Sequence, residues 1–193
     1  MGTITSQLVE VVHRLHARGL CPGTSGNFSA VRDDGRLVIT ASGVDKGLLD
    51  ESQLVVVDAT GARLEGTGKP SAETGLHLAL VERGARAILH VHSVWNTLVS
   101  LRHAGGLTIS GLEMLKGLSG VTTHDHREVV PVLANSQDIA ALAVELRRVL
   151  DDRTHGVLIA GHGLYTWGSD LAEAFRHVEI FEFLFEVLHR QGR

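Results

Sequence analysis

Ala87-Ile88-Leu89-His90-Val91-His92 is an apolar run that ends on two histidines one residue apart. Strand side chains alternate between two faces, so His90 and His92 share one face while Leu89 and Val91 pack into the layer behind. The pattern predicts a buried strand that turns two imidazoles toward one point. A third histidine stands between glycines in Ala160-Gly161-His162-Gly163. Catalytic zinc usually takes three protein ligands and keeps one position open, so His162 is expected to complete a metal site with His90 and His92. The flanking glycines remove the Cβ atoms that would block a close approach. Taken alone, His-x-His on a strand reads equally well as surface polar alternation. A second such pair, in Thr122-Thr123-His124-Asp125-His126, has Arg127 and Glu128 beside it and reads first as a solvated loop. His13, His16, His77, His103, His155, His177 and His189 read as surface or capped residues.

Outward from that strand, helix and strand patterns alternate. Leu8, Val11, Val12 and Leu15 recur at helical spacing until Gly19 and Pro22. Strands Asn27 to Val31 and Leu37 to Thr40 flank Asp33-Asp34-Gly35, a tight hairpin signal. Leu54 to Val57 reads as a further buried strand. A helix is expected from Ser71, as its N-cap, through about Arg83, with Glu73 in the first turn. Beyond His92 come a helix from Trp95 to Leu101, a strand from Leu107 to Ile109 and a short helix from Leu112 to Leu118. An apolar stripe from Ile139 to Leu150 follows Ser136, and strands Val157 to Ile159 and Leu164 to Trp167 bracket His162. The last helix runs from Leu171 to about His189 behind the capping candidates Ser169 and Asp170. Hairpins together with crossovers indicate an α/β chain whose sheet is not purely parallel.

The 193 residues suit one domain spanning residues 1–193 with a sizeable core. Hydrophobic residues at 44% and charged residues at 21% exclude disorder and collagen-like repeats. A formal net charge of -4, with no cluster of lysine and arginine, argues against nucleic acid as a partner. Cys21 is the single cysteine, and the chain starts without an apolar leader-like run, so a reducing cytoplasm is expected. No stretch approaches the ~20 apolar residues needed to span a bilayer. Met1-Gly2-Thr3-Ile4-Thr5-Ser6 matches an acylation pattern, but no polybasic segment accompanies it and the match reads as accidental.

Three small-residue turns are candidate anion cradles: Gly23-Thr24-Ser25-Gly26-Asn27, Thr40-Ala41-Ser42-Gly43 and Lys69-Pro70-Ser71-Ala72. Their backbone N–H groups and hydroxyls suit a phosphate, although each taken alone reads first as an ordinary turn. Neither a Gly-x-Gly-x-x-Gly pattern nor a Walker lysine is present, so a nucleotide has no support. Two carboxylates are candidate proton carriers, Glu73 and the Glu113 of Gly111-Leu112-Glu113-Met114-Leu115-Lys116-Gly117. Burial beside Leu and Met would raise such a carboxyl toward neutrality, as a group alternating between base and acid requires. Tyr165, the only tyrosine, reads equally as a ligand donor or as packing; Met114, Leu115 and Trp95 read first as core.

These pieces, in this order and spanning nearly the whole chain, resemble the class II aldolase/adducin family. The likeness runs through residues 23–29, 40–43, 69–74, 89–93 and 162–168; residues 111–117, 123–124 and 135–138 resemble a dehydratase branch. The resemblance implies a three-layer α/β/α fold with a mixed, largely antiparallel central sheet, assembled as a homotetramer with active sites near subunit interfaces. It implies one Zn2+ per subunit on His90, His92 and His162. Ser25, Gly26, Asn27, Ser42, Gly43, Ser71 and Lys116 would hold a small phosphorylated ketose. In sugar-phosphate aldolases of the family, the position matching Glu73 is the acid–base residue and follows two serines; here Ala72 replaces the second. The dehydratase branch gives that role to the position matching Glu113, and its members remove water from 5-methylthioribulose 1-phosphate in methionine salvage. The implied product is 2,3-diketo-5-methylthiopentyl 1-phosphate. The neighbouring expectations are an aldolase or a pentulose-phosphate 4-epimerase, and, further off, a non-catalytic adducin-like interaction domain.

Overall fold

The computed structural model describes residues 2–192; Met1, which opens the acylation-like pattern, and Arg193 fall outside them. The central element is one nine-stranded sheet among the described residues, and its middle strand is the run ending at His90-Val91. In chain order the strands are β1 (Asn27–Val31), β2 (Leu37–Thr40), β3 (Leu54–Val57), β4 (Arg63–Glu65), β5 (Ala87–Val91), β6 (Gly105–Ile109), β7 (Glu128–Leu133), β8 (Gly156–Ile159) and β9 (Gly163–Gly168). The spatial order is β4-β3-β2-β1-β5-β9-β8-β7-β6. Every pairing is antiparallel except β7 with β8, so the sheet is mixed and largely antiparallel as expected.

Helices α1 (Ile4–Ala17), α2 (Thr74–Val81), α3 (Val94–Arg102), α4 (Ile139–Val149) and α5 (Leu171–Arg190) cover both faces. Period-two alternation sorts the strand side chains between two layers. Leu89 and Val91 pack with Leu8, Leu15, Val99, Phe181 and Phe185 of α1, α3 and α5. Ile88, Val157 and Ile159 point the other way, into Leu76, Leu80, Leu142 and Leu146 of α2 and α4. The result is helix, sheet, helix. Among the described residues no helix is long and apolar enough to cross a membrane.

Two local expectations need correction. Helix α2 starts at Thr74, two residues later than the Ser71 cap implied, and Glu73 makes no side-chain capping bond. Instead Ser71 Oγ accepts from the Glu73 N–H at 3.3 Å and Thr74 Oγ1 donates to the Ser71 carbonyl at 2.7 Å, a closed turn that leaves the Glu73 carboxylate free. Helix α4 follows Ser136 as the stripe indicated, and Asp138 caps it, its side chain accepting from Ala141 N–H. Strand β7 was not foreseen: it begins within the polar stretch read as solvated loop, yet Glu128 is fully buried.

Candidate active site

Sheet register places the first members of the site. Asn27 of β1 pairs with His90 of β5, and His90 pairs with Tyr165 of β9. Residues directly opposite on neighbouring strands share a face, so these three form a row across the sheet. His92 follows β5 and enters the cap of α3, while His162 lies in the turn between β8 and β9.

His90 Nε2 lies 2.8 Å from His92 Nε2 and 3.4 Å from His162 Nε2, and the three ligand nitrogens fall within 4.8 Å of one another. The His90 Nδ1 donates to the Leu164 carbonyl at 3.1 Å. A carbonyl accepts only, so the proton sits on Nδ1 and the Nε2 lone pair faces the shared point. Gly163 makes the room: a Cβ there would stand 2.7 Å from His90 Cε1 and 2.5 Å from the Val91 carbonyl. Burial, reinforced by the neighbouring rings, holds the His90 imidazolium well below its usual range, and burial brings His92 down to about 4. Both therefore offer lone pairs at neutral pH. Three converging imidazoles of this kind fit a divalent transition-metal ion such as zinc.

Glu73 faces the same point. Its Oε1 is 3.2 Å from His162 Nε2 and its Oε2 is 3.4 Å from His90 Nε2. Asn27 Nδ2 donates to Oε2 at 2.8 Å, and the Tyr165 hydroxyl donates to the same oxygen. Behind Asn27 stands His77, fully buried, with Nε2 at 2.5 Å from Asn27 Oδ1 and Nδ1 at 2.7 Å from Ser29 Oγ. This chain fixes the Asn27 amide with its oxygen toward His77 and its NH2 toward Glu73. Tyr165 stacks on His90 with centroids 4.0 Å apart, so it both packs and donates.

A cleft of about 290 Å³ opens over His92, His162 and Glu73 and is lined by Ser25, Gly26, Asn27, Ser42, Gly43, Ser71 and Lys46. The three small-residue turns thus meet around one space. Ser42 N–H donates to the Lys69 carbonyl at 2.8 Å, and Ala41 bridges Pro70, which ties the second turn to the third. Gly26 has φ +77°, and a Cβ there would meet the His90 carbonyl at 2.8 Å. The Ser25 hydroxyl is buried without a protein partner. Lys46 is 1% exposed, and its ammonium donates to the Thr24 and Val44 carbonyls, each at 2.9 Å. An ammonium has three N–H groups, and among the described residues no third acceptor is in range. A buried cation and an unpaired hydroxyl beside backbone turns make a receptor for an anion.

Residues 6–189 match the model of the class II aldolase and adducin N-terminal domain. The chain belongs to the class II aldolase and adducin family. Methylthioribulose-1-phosphate dehydratases of Methylococcus capsulatus and Sorangium cellulosum are each 46% identical to it, with 96% and 99% of this chain and 92% and 93% of theirs aligned. Among solved structures, L-fuculose-1-phosphate aldolase from Thermus thermophilus matches with a TM-score of 0.78 at 29% identity, covering 98% of this chain and 97% of that one.

In this class II aldolase relative, Glu113 and Lys116 do not join the cleft that their own chain forms. They pair with each other on an exposed 3₁₀ turn, Glu113–Gly117. The hydrogen bond from Lys116 pulls the Glu113 carboxyl below its usual range, opposite to the rise expected from burial beside Leu112 and Met114. Leu115 is core, and Trp95 packs beside His189, so neither lines the cleft. His77 and His177 are buried, contrary to the surface reading. Sequence reading also missed Lys46, although Gly43-Val44-Asp45-Lys46-Gly47 directly continues a cradle turn.

Proposed function

We propose that this chain is a zinc-dependent hydro-lyase that dehydrates 5-methylthioribulose 1-phosphate in methionine salvage. The carrying observation is the single cleft in which three histidine nitrogens, a carboxylate and a cationic anion receptor meet, in a chain 46% identical over nearly its full length to relatives named for that reaction. The reading includes a homotetramer with the cleft near a subunit interface, the setting in which an exposed turn such as Glu113–Gly117 becomes part of a closed site. Exposed Leu48, Val94, Leu101, Val129 and Phe183 supply apolar surface for such contacts.

Zinc held by His90, His92 and His162 would acidify the proton next to the ketose carbonyl by drawing off negative charge as that proton leaves. The other steps belong to side chains. Lys46, the Ser25, Ser42 and Ser71 hydroxyls and the Gly26 and Gly43 turns hold the phosphate; Asn27 and Tyr165 keep Glu73 beside the histidines. Glu113 takes the C3 proton and returns it to the C4 hydroxyl, which leaves as water. The resulting enol becomes the 2,3-diketone when a proton reaches C4. The phosphate and methylthio groups are unchanged.

Glu73 stands where an aldolase of this family would place its acid–base group, and that contact favours a second reading, carbon–carbon cleavage of a related ketose phosphate. Incubating the zinc-loaded protein with methylthioribulose phosphate and following products by mass spectrometry separates the two. Loss of one water with the carbon chain intact is expected. Two carbon fragments, or turnover restricted to fuculose or ribulose phosphates, would reject the dehydratase.

A further inference from the structure

The His126 motif and the buried Glu128 lie outside the cleft, and their contacts form a second ordered cluster. Glu128 opens β7 with none of its surface exposed. His126 Nε2 meets its Oε2 at 2.8 Å, and His155 Nδ1 lies 3.1 Å from both oxygens. On the other side of its ring, His155 Nε2 meets the Ser119 carbonyl at 2.8 Å. A carboxylate and a carbonyl both accept, so both nitrogens of His155 must donate and the ring is an imidazolium.

The opposite holds for His177 on α5. Its Nδ1 donates to the Trp167 carbonyl at 2.8 Å, which leaves Nε2 to accept the Ser119 N–H at 3.2 Å. That ring is neutral, and it meets His155 edge to face at 5.3 Å. One residue, Ser119, is therefore gripped at its carbonyl by a charged histidine and at its N–H by an uncharged one. The Ser119 hydroxyl donates to Glu173, and Arg176 reaches the same hydroxyl at 3.1 Å and the Gly117 carbonyl at 2.8 Å. The grip falls two residues after the Glu113–Gly117 turn, and the loop is closed on its other side by Gly111 N–H on the His124 carbonyl at 2.9 Å.

We propose that the buried Glu128, with His155 and His126, forms a proton-dependent clasp that positions the Glu113–Gly117 turn for the reaction. The part of this inference that names Glu113 rests on the dehydratase reading; the clasp itself does not. The charged or titratable groups facing His155 are Glu128 from β7, His126 from the preceding loop, and His177, Glu173 and Arg176 from α5. Burial by itself would lower the His155 pKa, but the Glu128 carboxylate outweighs it and the ring lies above its usual range. Burial takes His177 down to about 4. A raised histidine pKa gives a contribution that is complete below the unfolded value of about 6.5 and lost as pH rises through the folded value. The clasp therefore opens on the alkaline side, while His177 keeps accepting from Ser119 until the pH falls toward its lowered value.

The test is a ring 13C–1H NMR titration of histidine-labelled, zinc-loaded full chain, with the His155 ring assigned through its backbone correlations. His155 is expected to titrate above about 6.5, and in Glu128→Gln to fall below it. The wild-type arm needs no variant to fold. In parallel, kcat should decline as His155 loses its proton. Glu128→Gln should lose that alkaline limb and on the order of 10²-fold in kcat, with zinc content unchanged and KM little changed. A wild-type His155 that titrates at or below the ordinary value would overturn the ion pair, as would a second equivalent of tightly bound metal. Normal kcat in a folded Glu128→Gln would overturn positioning. If Glu113→Gln turns over normally while His155 titrates as expected, the clasp stands and its link to Glu113 falls.

Discussion

Glu113 and Glu73 differ in what surrounds them, and that difference sets what their amides should do. Glu113→Gln keeps the shape of an exposed side chain and removes its proton-accepting oxygen. Metal content should be unchanged while dehydration falls by at least ~10²-fold, read from elemental analysis and diketone formation on the same sample. Near-normal turnover would move the role to Glu73, which already touches His90, His162, Asn27 and Tyr165. Lys46 makes a different prediction. Charged hydrogen bonds are worth roughly 1.5–3 kcal/mol, so Lys46→Met should raise KM for the phosphorylated substrate by about 10- to 100-fold, with a smaller effect on kcat. An unchanged KM in steady-state kinetics would remove it from phosphate binding. The convergence of His90, His92 and His162 was legible because period-two alternation and flanking glycines are local signals. Lys46 and His77 were not, because their burial is created by turns and strands far apart in sequence.

Elements connect these residues to the scaffold, and α3 does so most directly, since its cap follows His92. Ser93 Oγ accepts the Asn96 N–H at 3.0 Å, and Asn96 Oδ1 accepts the Ser93 N–H at 3.2 Å. The buried Asn96 amide also donates to the Val91 carbonyl at 3.3 Å and to Glu182 of α5 at 3.0 Å. Ser93→Ala removes one side of that box and should cost about 1 kcal/mol, read as a lower urea midpoint with an unchanged slope. A midpoint equal to wild type would mean that the Asn96 bonds alone hold the helix start. Most elements were readable in advance, and the two clearest departures have local causes. Helix α2 begins late because Ser71 closes a turn that leaves Glu73 for the site. Strand β7 was hidden because Pro131 argues against a strand and Glu128 argues for solvent. In the sheet, Pro131 sits just before the ladder with β8 begins at Val132, and Glu128 is compensated by His126 two residues before it and by His155 from a distant segment.

At the scale of the whole molecule, the three converging histidines couple distant parts of the chain. His90 and His92 come from the end of β5, His162 from the β8–β9 turn, and Glu73 and Asn27 are drawn to them from the start of α2 and from β1. An ion bound here in the folded state alone stabilises that state by mass action, about 4 kcal/mol when free metal exceeds its dissociation constant a thousandfold. For a chain of this length each kcal/mol shifts the melting temperature by about 2–4 °C. Removing metal with a chelator should therefore lower the melting temperature by on the order of 10 °C, and stoichiometric zinc should restore it. His92→Ala should lose metal and turnover together and show no chelator-dependent shift. The variant is the decisive control: chelation that destabilises it as much as wild type would place the responsible ion elsewhere, and the three-histidine site would lose its claim to the cofactor.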